Sequence, residues 1–229
     1  MRLLIKLSGE ALGGESKQGF DFDAIDEIVR RIIEVHNKGH EIAVVVGGGN
    51  FMRGRDSKVM DRINADYTGM IATIMNAIAL TDSFNRLGSH AVIQTGIKME
   101  CFEYTNKDIA NKELSGGNII VYGGGIGKPG PSTDTCASLR ATDINADILV
   151  KLTTVDGVYD SDPRENKDAK MYDYVSYDEV ISKELKIMDM EGIKACRDNN
   201  VKIIVTNMNN KNCLLDIVNG KYIGTTIYK

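Results

Sequence analysis

The sequence predicts an α/β fold in which a mainly parallel β-sheet lies between two layers of helices. Short segments rich in aliphatic and β-branched residues alternate with segments whose apolar residues recur at helical spacing. Because such alternation is typical of parallel sheets with helices on both faces, we expect a three-layer α-β-α sandwich. With three prolines and no Ser/Gly-rich tether, the whole chain, 1–229, is predicted to form one domain.

The N-terminal segment predicts a β-α-β unit. Residues 2–7 and 41–46 have the composition of buried strands, and residues 23–38 between them carry Ile and Val at helical spacing. Asp21 or Asp23 would cap this helix at its start, and Gly39 would end it.

A long helix is predicted over residues 61–87. Its buried side is expected to consist of Ile71, Ile74, Met75, Ile78 and Leu80. The same reasoning predicts further strands at 90–95, 118–122, 146–152, 202–206 and 225–228, and further helices at 134–144 and 189–199.

Composition narrows the classes of function. The net charge is −4 and the pI about 5.5, so no broad cationic field exists for a nucleic-acid duplex, and small anionic ligands fit better. No segment has the length of a membrane span or the pattern of a signal peptide, so we expect a cytoplasmic protein without a membrane or nucleic-acid partner. The spacing of the four cysteines matches neither a zinc site nor a compact disulfide framework, which predicts reduced, mostly buried thiols.

Glycine-rich loops follow four of the predicted strands. Glycine has no Cβ, so these loops expose amide N–H groups that a phosphate can approach closely. A single such loop is as readily explained as a flexible turn, but several at one edge of a sheet would line a pocket suited to a polyphosphate. No Walker A or dinucleotide fingerprint is present. The loops lie at 6–9, 47–50, 123–130 and 156–163.

Three charged residues flank these loops. Lys6 lies inside an apolar strand, where a lysine either reaches solvent or meets an anion, and Arg53 follows the glycine triplet Gly47–Gly49. Asp134 begins a predicted helix within residues 132–135, which simple N-capping would also explain. Beside phosphates, a carboxylate would instead organise lysines or a magnesium ion.

Six sequence blocks carry a resemblance to a known family. They are Lys-Leu-Ser-Gly-Glu-Ala at 6–11, Gly-Gly-Gly-Asn with Arg and Gly at 47–54, Asp-Tyr-Thr-Gly-Met with Ala-Thr and Asn-Ala at 66–77, Thr-Asp-Thr at 133–135, Asp-Gly-Val-Tyr-Asp-Ser-Asp-Pro at 156–163, and Leu-Lys-Ile-Met-Asp at 185–189. Together they resemble bacterial uridylate (UMP) kinases of the amino-acid-kinase superfamily. The resemblance is collinear from residue 1 to about residue 226.

The resemblance implies two nucleotide sites on a single amino-acid-kinase domain. The N-terminal part would bind mainly UMP, and the C-terminal part, from about residue 135 to 229, mainly ATP. It implies catalytic roles for Lys6, Arg53, Asp134 and Asp189. The implied ATP contacts are Lys6, Leu7, Ser8, Gly9, Gly49, Arg53, Thr153, Tyr159 and Asp162. The implied UMP contacts are Gly48, Asp66, Ile126, Gly127, Lys128, Pro129, Gly130, Pro131, Ser132 and Thr133.

The implied activity is reversible transfer of the ATP γ-phosphate to UMP, giving UDP and ADP in pyrimidine nucleotide and CTP biosynthesis. The resemblance further implies Mg²⁺ bound mainly through nucleotide phosphates rather than by a protein metal site, a cytoplasmic homohexamer, and allosteric control by GTP or UTP. Two alternatives stay open: a related kinase of this fold with another acceptor, and a non-catalytic nucleotide sensor or storage protein.

One loop departs from the family pattern. Gly130 and Pro131 stand where the family usually has two aromatic residues, and Lys128 stands where asparagine is common. Lost ring surface would alter packing of the base or of subunits, and Lys128 would add a phosphate contact.

Overall fold

The computed structural model describes residues 1–52, 59–163, 165–185 and 187–229. The strands within these ranges are β1 (Arg2–Leu7), β2 (Glu41–Val46), β3 (Ala91–Thr95), β4 (Glu103–Tyr104), β5 (Ile119–Gly123), β6 (Ile148–Thr153), β7 (Tyr174–Ser176), β8 (Lys202–Asn207) and β9 (Thr225–Tyr228). The α-helices are α1 (Phe22–His36), α2 (Arg62–Arg86), α3 (Lys107–Ser115), α4 (Thr133–Asp143), α5 (Tyr177–Ser182), α6 (Met190–Asp198) and α7 (Cys213–Val218), and a 3₁₀ segment spans Gly9–Ser16.

The strands of these ranges form one sheet, in the order β4-β3-β5-β2-β1-β6-β8-β9-β7. All pairings are parallel except that of β8 with β9. From β1 the chain first builds one side of the sheet with β2 to β5, which lie in the order β2-β5-β3-β4, and then builds the other side from β6. In open α/β sheets the ligand crevice lies at the carboxyl ends of the strands near the point where this direction reverses, which here is at β1.

Two apolar clusters cover the two faces of the sheet and confirm the predicted three-layer architecture. On β1, Leu3, Ile5 and Leu7 pack toward α1, α2 and α7, while Leu4 belongs to the cluster on the face of α3 to α6. Successive side chains of a strand point to opposite faces, so this alternation assigns Lys6 to the same face as Leu4. None of the helices in the described part of the chain is both long enough and apolar enough to cross a membrane.

The predicted strands and helices are all present, with ends shifted by at most a few residues. The predicted buried side of α2 was partly wrong. Ile74 and Leu80 are buried, but Ile71, Met75 and Ile78 are 54%, 40% and 43% exposed. The buried face of α2 consists instead mainly of small and polar residues, because the backbone of two glycine loops packs directly against it. The segments not predicted are the 3₁₀ segment, α3, α5, α7, β4 and β7, most of which are short.

Candidate active site

A cleft of about 690 Å³ opens at the carboxyl ends of β1, β2 and β5. The side chains and backbone that line it come from four regions: the ends of these strands with the loops that follow them, the first half of α2, the start of α4, and the loop before α6. Its lining includes Lys6, Ser8, Gly9, Gly47, Gly48, Gly49, Arg62, Asp66, Thr73, Lys128, Gly130, Pro131, Ser132, Thr133, Asp134 and Asp189.

Two lysines and one aspartate form the charged centre of this region. Lys6 and Lys151 are register partners on the neighbouring parallel strands β1 and β6. Asp134, in the first turn of α4, receives one lysine on each carboxylate oxygen: Lys6 Nζ lies 3.0 Å from Oδ1 and Lys151 Nζ lies 2.8 Å from Oδ2. Lys151 Nζ also donates to the carbonyl of Ile187. One carboxylate therefore fixes the positions of two ammonium groups.

Burial and charge oppose each other at this cluster. Burial favours a neutral Asp134, but the charges of Lys6 and Lys151 and their hydrogen bonds outweigh it and hold the pKa of Asp134 below its usual value. Burial is also the main reason that the pKa of Lys151 is lowered, and the repulsion of Lys6 adds to it against the attraction of Asp134. Lys6, Lys151 and Asp134 by themselves carry one net positive charge, and the carboxylate of Asp189, which also lines the cleft, attracts Lys151 as well.

The start of α4 is held by Asp189. Ser132 caps the helix, since its Oγ accepts from the N–H groups of Asp134 and Thr135 at 3.1 and 3.3 Å. Ser132 Oγ and Thr135 Oγ1 both donate to Asp189 Oδ2, the latter at 2.7 Å. Asp189 can reach them because α6 approaches α4 closely: a Cβ at Gly192 would lie 2.6 Å from Ser138 Oγ.

The glycine loops after β1 and β2 pack backbone to backbone. A Cβ at Gly9 would lie 2.5 Å from the carbonyl oxygen of Gly47 and 2.7 Å from the amide nitrogen of Gly49, so no larger residue fits there without a shift. The amide of Gly47 donates to the carbonyl of Leu7 at 3.0 Å. These contacts bring two sets of loop amides to one place in the cleft, next to Lys6.

Helix α2 forms the opposite wall and is joined to the loop after β5. Asp66 Oδ2 accepts from the N–H of Gly130 at 3.0 Å, and its Oδ1 lies 3.0 Å from Arg62 Nε. Two turns farther along this face, Thr73 Oγ1 accepts from the N–H of Gly124 at 2.7 Å. Gly130 has φ of 107°, a left-handed conformation that glycine adopts far more readily than other residues. The Gly130-Pro131 pair, which departs from the family pattern, is thus hydrogen-bonded through Gly130 to Asp66, a predicted UMP contact.

The structure brings most of the predicted site residues to this one cleft, but not all of them. Leu7 is fully buried under α1, because strand alternation turns it away from the face of Lys6. Gly127 packs against Gly96, whose carbonyl oxygen would lie 2.2 Å from an added Cβ. Arg53 lies outside the described residues. Those described residues that were predicted to bind nucleotide but do not line the cleft are Leu7, Ile126, Gly127, Pro129, Thr153, Tyr159 and Asp162.

Lys151 is a site residue that the sequence reasoning missed. Its signal was present: like Lys6, it interrupts an aliphatic strand, Ile-Leu-Val-Lys-Leu-Thr. The pairing of β1 with β6 then places the two lysines side by side. Thr153 ends the same strand, and Tyr159 and Asp162 follow in the next loop. These three predicted ATP residues therefore lie at the end of β6 and in the loop that follows it.

Of the four cysteines, Cys136 lines the cleft. All four are free thiols, and Cys136, Cys196 and Cys213 are buried while Cys101 is exposed, as predicted. Burial raises the pKa values of the Cys136 and Cys196 thiols to about 11. Within the described ranges, no three His, Cys, Asp or Glu side chains are grouped closely enough to hold a metal ion.

Comparison with known proteins identifies the family. The sequence model of the amino acid kinase family matches residues 1–207. The chain belongs to the amino acid kinase family. Its nine-stranded, mostly parallel sheet flanked by helices is the fold of that family's solved structures.

Two solved amino acid kinase structures superpose on nearly the whole chain. A UMP kinase from Bacillus anthracis has 32% sequence identity and a TM-score of 0.95, over 99% of this chain and 95% of that one. A UMP kinase from Ureaplasma parvum has 31% identity and a TM-score of 0.93, over 100% and 99% of the two chains. A uridylate kinase from Archaeoglobus fulgidus is less similar, with 26% identity and a TM-score of 0.74 over 99% and 100%.

Proposed function

We propose that this amino acid kinase is a UMP kinase, which transfers the γ-phosphate of ATP to UMP and releases UDP and ADP in pyrimidine nucleotide and CTP biosynthesis. The observation that carries the proposal is that Lys6 and Asp134 line the cleft beside the amides of two glycine loops at the carboxyl ends of β1 and β2, with Lys151 bound to the second carboxylate oxygen of Asp134. Two UMP kinases at 32% and 31% identity, aligned over almost the whole chain, support the choice of acceptor.

Phosphate transfer from ATP to UMP requires that the enzyme position the two nucleotides and supply positive charge, and it does not require a general base. A phosphate monoester has a second pKa of about 6, so UMP is mostly a dianion at neutral pH and can attack without losing a proton to the protein. The barrier lies in bringing two polyanions into line and in stabilising the charge on the transferring group. Lys6 and Lys151 supply positive charge, and Asp134 keeps both ammonium groups in place while offsetting only one of their two charges.

The two nucleotides are assigned to the two halves of the domain. Asp66, Gly48 and the loop from Ile126 to Thr133 would hold UMP, with the Asp66–Gly130 hydrogen bond setting the loop against α2. Lys6, Ser8, Gly9 and Gly49 would face the ATP phosphates, with Arg53 adding charge. The C-terminal part, from about residue 135 to 229, would contribute the remaining ATP contacts through Thr153, Tyr159 and Asp162.

Asp189 is assigned a positioning role. Its Oδ2 holds the side chains of Ser132 and Thr135 and so fixes the first turn of α4, which carries Asp134. It would act on the transfer through Asp134 rather than by touching the phosphates.

Mg²⁺ is proposed to enter with ATP, bound by the phosphate oxygens, where it would neutralise charge on the β- and γ-phosphates. Both carboxylate oxygens of Asp134 are paired with lysines, so this aspartate is proposed to hold Lys6 and Lys151 rather than a metal ion. Asp134 would therefore act on the nucleotides through Lys6 and Lys151.

The protein is further proposed to be a cytoplasmic homohexamer regulated by GTP or UTP. The outer face of α2 supports association, because Ile63, Tyr67, Ile71, Met75 and Ile78 are each at least 40% exposed and recur at spacings of three to four residues. Such a stripe on a single helix can pair with the same stripe of a second copy around a two-fold axis.

An acceptor panel tests the activity. ADP release from Mg²⁺-ATP is measured with UMP, CMP, dUMP and several carboxylates, with a no-acceptor blank. We expect UMP to give the highest kcat/KM. Release that is faster with a carboxylate would assign a different acceptor, and no release with any acceptor above the blank would favour a nucleotide-binding protein without kinase activity.

A further inference from the structure

Asn50 and Asn76 form a buried pair of side-chain amides beneath the glycine triplet Gly47–Gly49. Asn50 Nδ2 donates to Asn76 Oδ1 at 2.9 Å, and Asn76 Nδ2 donates to Asn50 Oδ1 at 2.7 Å. The two residues are 4% and 0% exposed. A buried polar pair of this kind needs all of its hydrogen bonds satisfied, so where its remaining donors point is informative.

Each amide uses its second N–H on a backbone carbonyl, and the two carbonyls belong to different loops. Asn76 Nδ2 donates to the carbonyl of Gly47 at 2.7 Å, and Asn50 Nδ2 donates to the carbonyl of Gly19 at 2.8 Å. Reversing either amide would set an oxygen against these carbonyl oxygens, so the network fixes both orientations. Asn76 is thus the member that holds the glycine triplet, and Asn50 the member that holds the loop before α1.

The carbonyl that Asn76 holds belongs to the same peptide unit as the N–H of Gly48. In a planar trans peptide these two groups point in opposite directions. Fixing the Gly47 carbonyl toward α2 therefore fixes the Gly48 N–H away from the Asn76 side chain. Gly48 itself lines the cleft and has no freedom to move toward α2, because a Cβ there would lie 2.6 Å from the carbonyl oxygen of Gly69.

We propose that Asn76 is a positioning residue for phosphate transfer: through the Gly47 carbonyl it aims the N–H of Gly48 at a phosphate oxygen between the two nucleotides. This role rests on the proposed kinase function. A glycine peptide can rotate with little steric resistance, so its direction must be set by a partner. A preorganised amide of this kind stabilises developing charge without reorganising during transfer.

The symmetry of the pair supplies a matched control. Asn76→Asp loses two donated hydrogen bonds, one to Asn50 and one to the Gly47 carbonyl, whereas Asn50→Asp loses one to Asn76 and one to the Gly19 carbonyl. Both changes are isosteric and equally buried, so we expect similar decreases in Tm. Only Asn76→Asp removes the hydrogen bond to the Gly47 carbonyl.

Kinetics and binding then separate positioning from stability. At a temperature well below both Tm values, we expect Asn76→Asp to lower kcat at least tenfold with the ATP KM within threefold of wild type, and Asn50→Asp to lower kcat less than threefold. Binding of inorganic pyrophosphate, measured by calorimetry, is expected to weaken at least fivefold in Asn76→Asp alone, relative to wild type and Asn50→Asp.

The two failures are distinguishable. Equal losses of kcat and of pyrophosphate affinity in the two variants would overturn the positioning role and leave the kinase function standing. A wild-type protein that transfers no phosphate to UMP, yet loses pyrophosphate affinity only in Asn76→Asp, would overturn the proposed function and keep Asn76 as the residue that orients an anion site.

Discussion

Lys6 and Lys151 occupy paired positions on adjacent parallel strands, and their ammonium groups meet the two oxygens of a single carboxylate, Asp134. Two like charges at neighbouring sheet positions repel each other unless an anion lies between them. Asp134 is that anion in the protein, and a phosphoryl group would be the second. This relationship explains why both lysines tolerate side-chain exposures of only 15%.

Replacing Lys151 is expected to slow phosphate transfer. Lys151→Ala removes one of the two positive charges at the proposed transfer site, so kcat should fall at least tenfold, as it should for Lys6→Ala, with a smaller effect on the UMP KM. Lys202→Ala is the control, because Lys202 begins the neighbouring strand β8 at the amino ends of the strands, opposite the end at which the cleft lies. Steady-state kinetics of the three variants checks this, and an unchanged kcat in Lys151→Ala would refute the role.

The charge on Asp134 is expected to make stability depend on pH. Its pKa in the folded protein lies below the ordinary value of 3.8, so its stabilising contribution is complete above pH 3.8 and is lost as the pH falls through the folded value. Asp134→Asn leaves two largely buried lysines without this carboxylate and should cost about 3 kcal/mol of unfolding free energy at pH 7.

Urea unfolding of wild type and Asp134→Asn between pH 7 and pH 3 measures this contribution. The difference between their unfolding free energies should shrink as the pH falls below 3.8. A difference that stays constant over the whole range would show that the ionised carboxylate is not what stabilises the cluster.

Asp66→Ala is expected to raise the UMP KM chiefly, with kcat changed less. The side chain is proposed to bind UMP equally in the ground state and the transition state, and such an interaction affects KM rather than kcat. Initial rates with UMP varied at saturating ATP, and then with ATP varied, separate the two effects. A selective increase in the ATP KM would reverse the assignment of the two nucleotide sites.

Gly130→Ala should also raise the UMP KM, because the loop would no longer present its N–H to Asp66. The cost arises from backbone conformation: φ is 107° at Gly130 and no atom lies within 4 Å of an added Cβ. Gly88→Ala is the control, with φ of 88° and equally open space after α2. Both variants should lose stability, on the order of 1 kcal/mol, but only Gly130→Ala should alter the UMP KM. Equal UMP KM values in the Gly130→Ala and Gly88→Ala variants would show that this loop does not contribute to UMP binding.

Ile71→Glu is expected to reduce the mass of the assembly. Ile71 is 54% exposed in the middle of the apolar stripe on α2, so a carboxylate there would oppose pairing of two copies. Leu139→Glu, at an exposed apolar position of α4, serves as the control. Light scattering coupled to size exclusion measures both. An unchanged mass in Ile71→Glu would exclude this stripe as a subunit contact.

The strands and helices could be predicted from the sequence where the positions of the apolar residues are determined by burial in the core alone. Strands such as β1 and β2 are buried on both faces and therefore read as continuous apolar runs, and α1 has a single buried face at helical spacing. In helix α2, both the inner and the outer face restrict which residues can occur. Its inner face is restricted to small and polar residues by the glycine loops, and its outer face carries the apolar residues, so periodicity alone assigned Ile71, Met75 and Ile78 to the wrong side.

Residues of the candidate site could be predicted where a residue type is unusual for its local structure. Lys6 in an apolar strand and the glycines after β1 and β2 could each be found in this way, and Lys151 carried the same signal as Lys6. The Asn50–Asn76 pair and the Asp66–Gly130 contact join residues 26 and 64 positions apart, respectively, and no local pattern encodes such pairings. They follow from how α2 packs across the loops.

Transfer of label from γ-³²P-ATP tests the central claim most directly. Wild type, Lys151→Ala and Asp134→Asn are incubated with Mg²⁺-ATP and UMP, and the products are separated by chromatography. We expect label in UDP for wild type, at a rate at least tenfold lower in both variants. Label appearing only in inorganic phosphate, or equal rates of UDP labelling in all three proteins, would contradict the account.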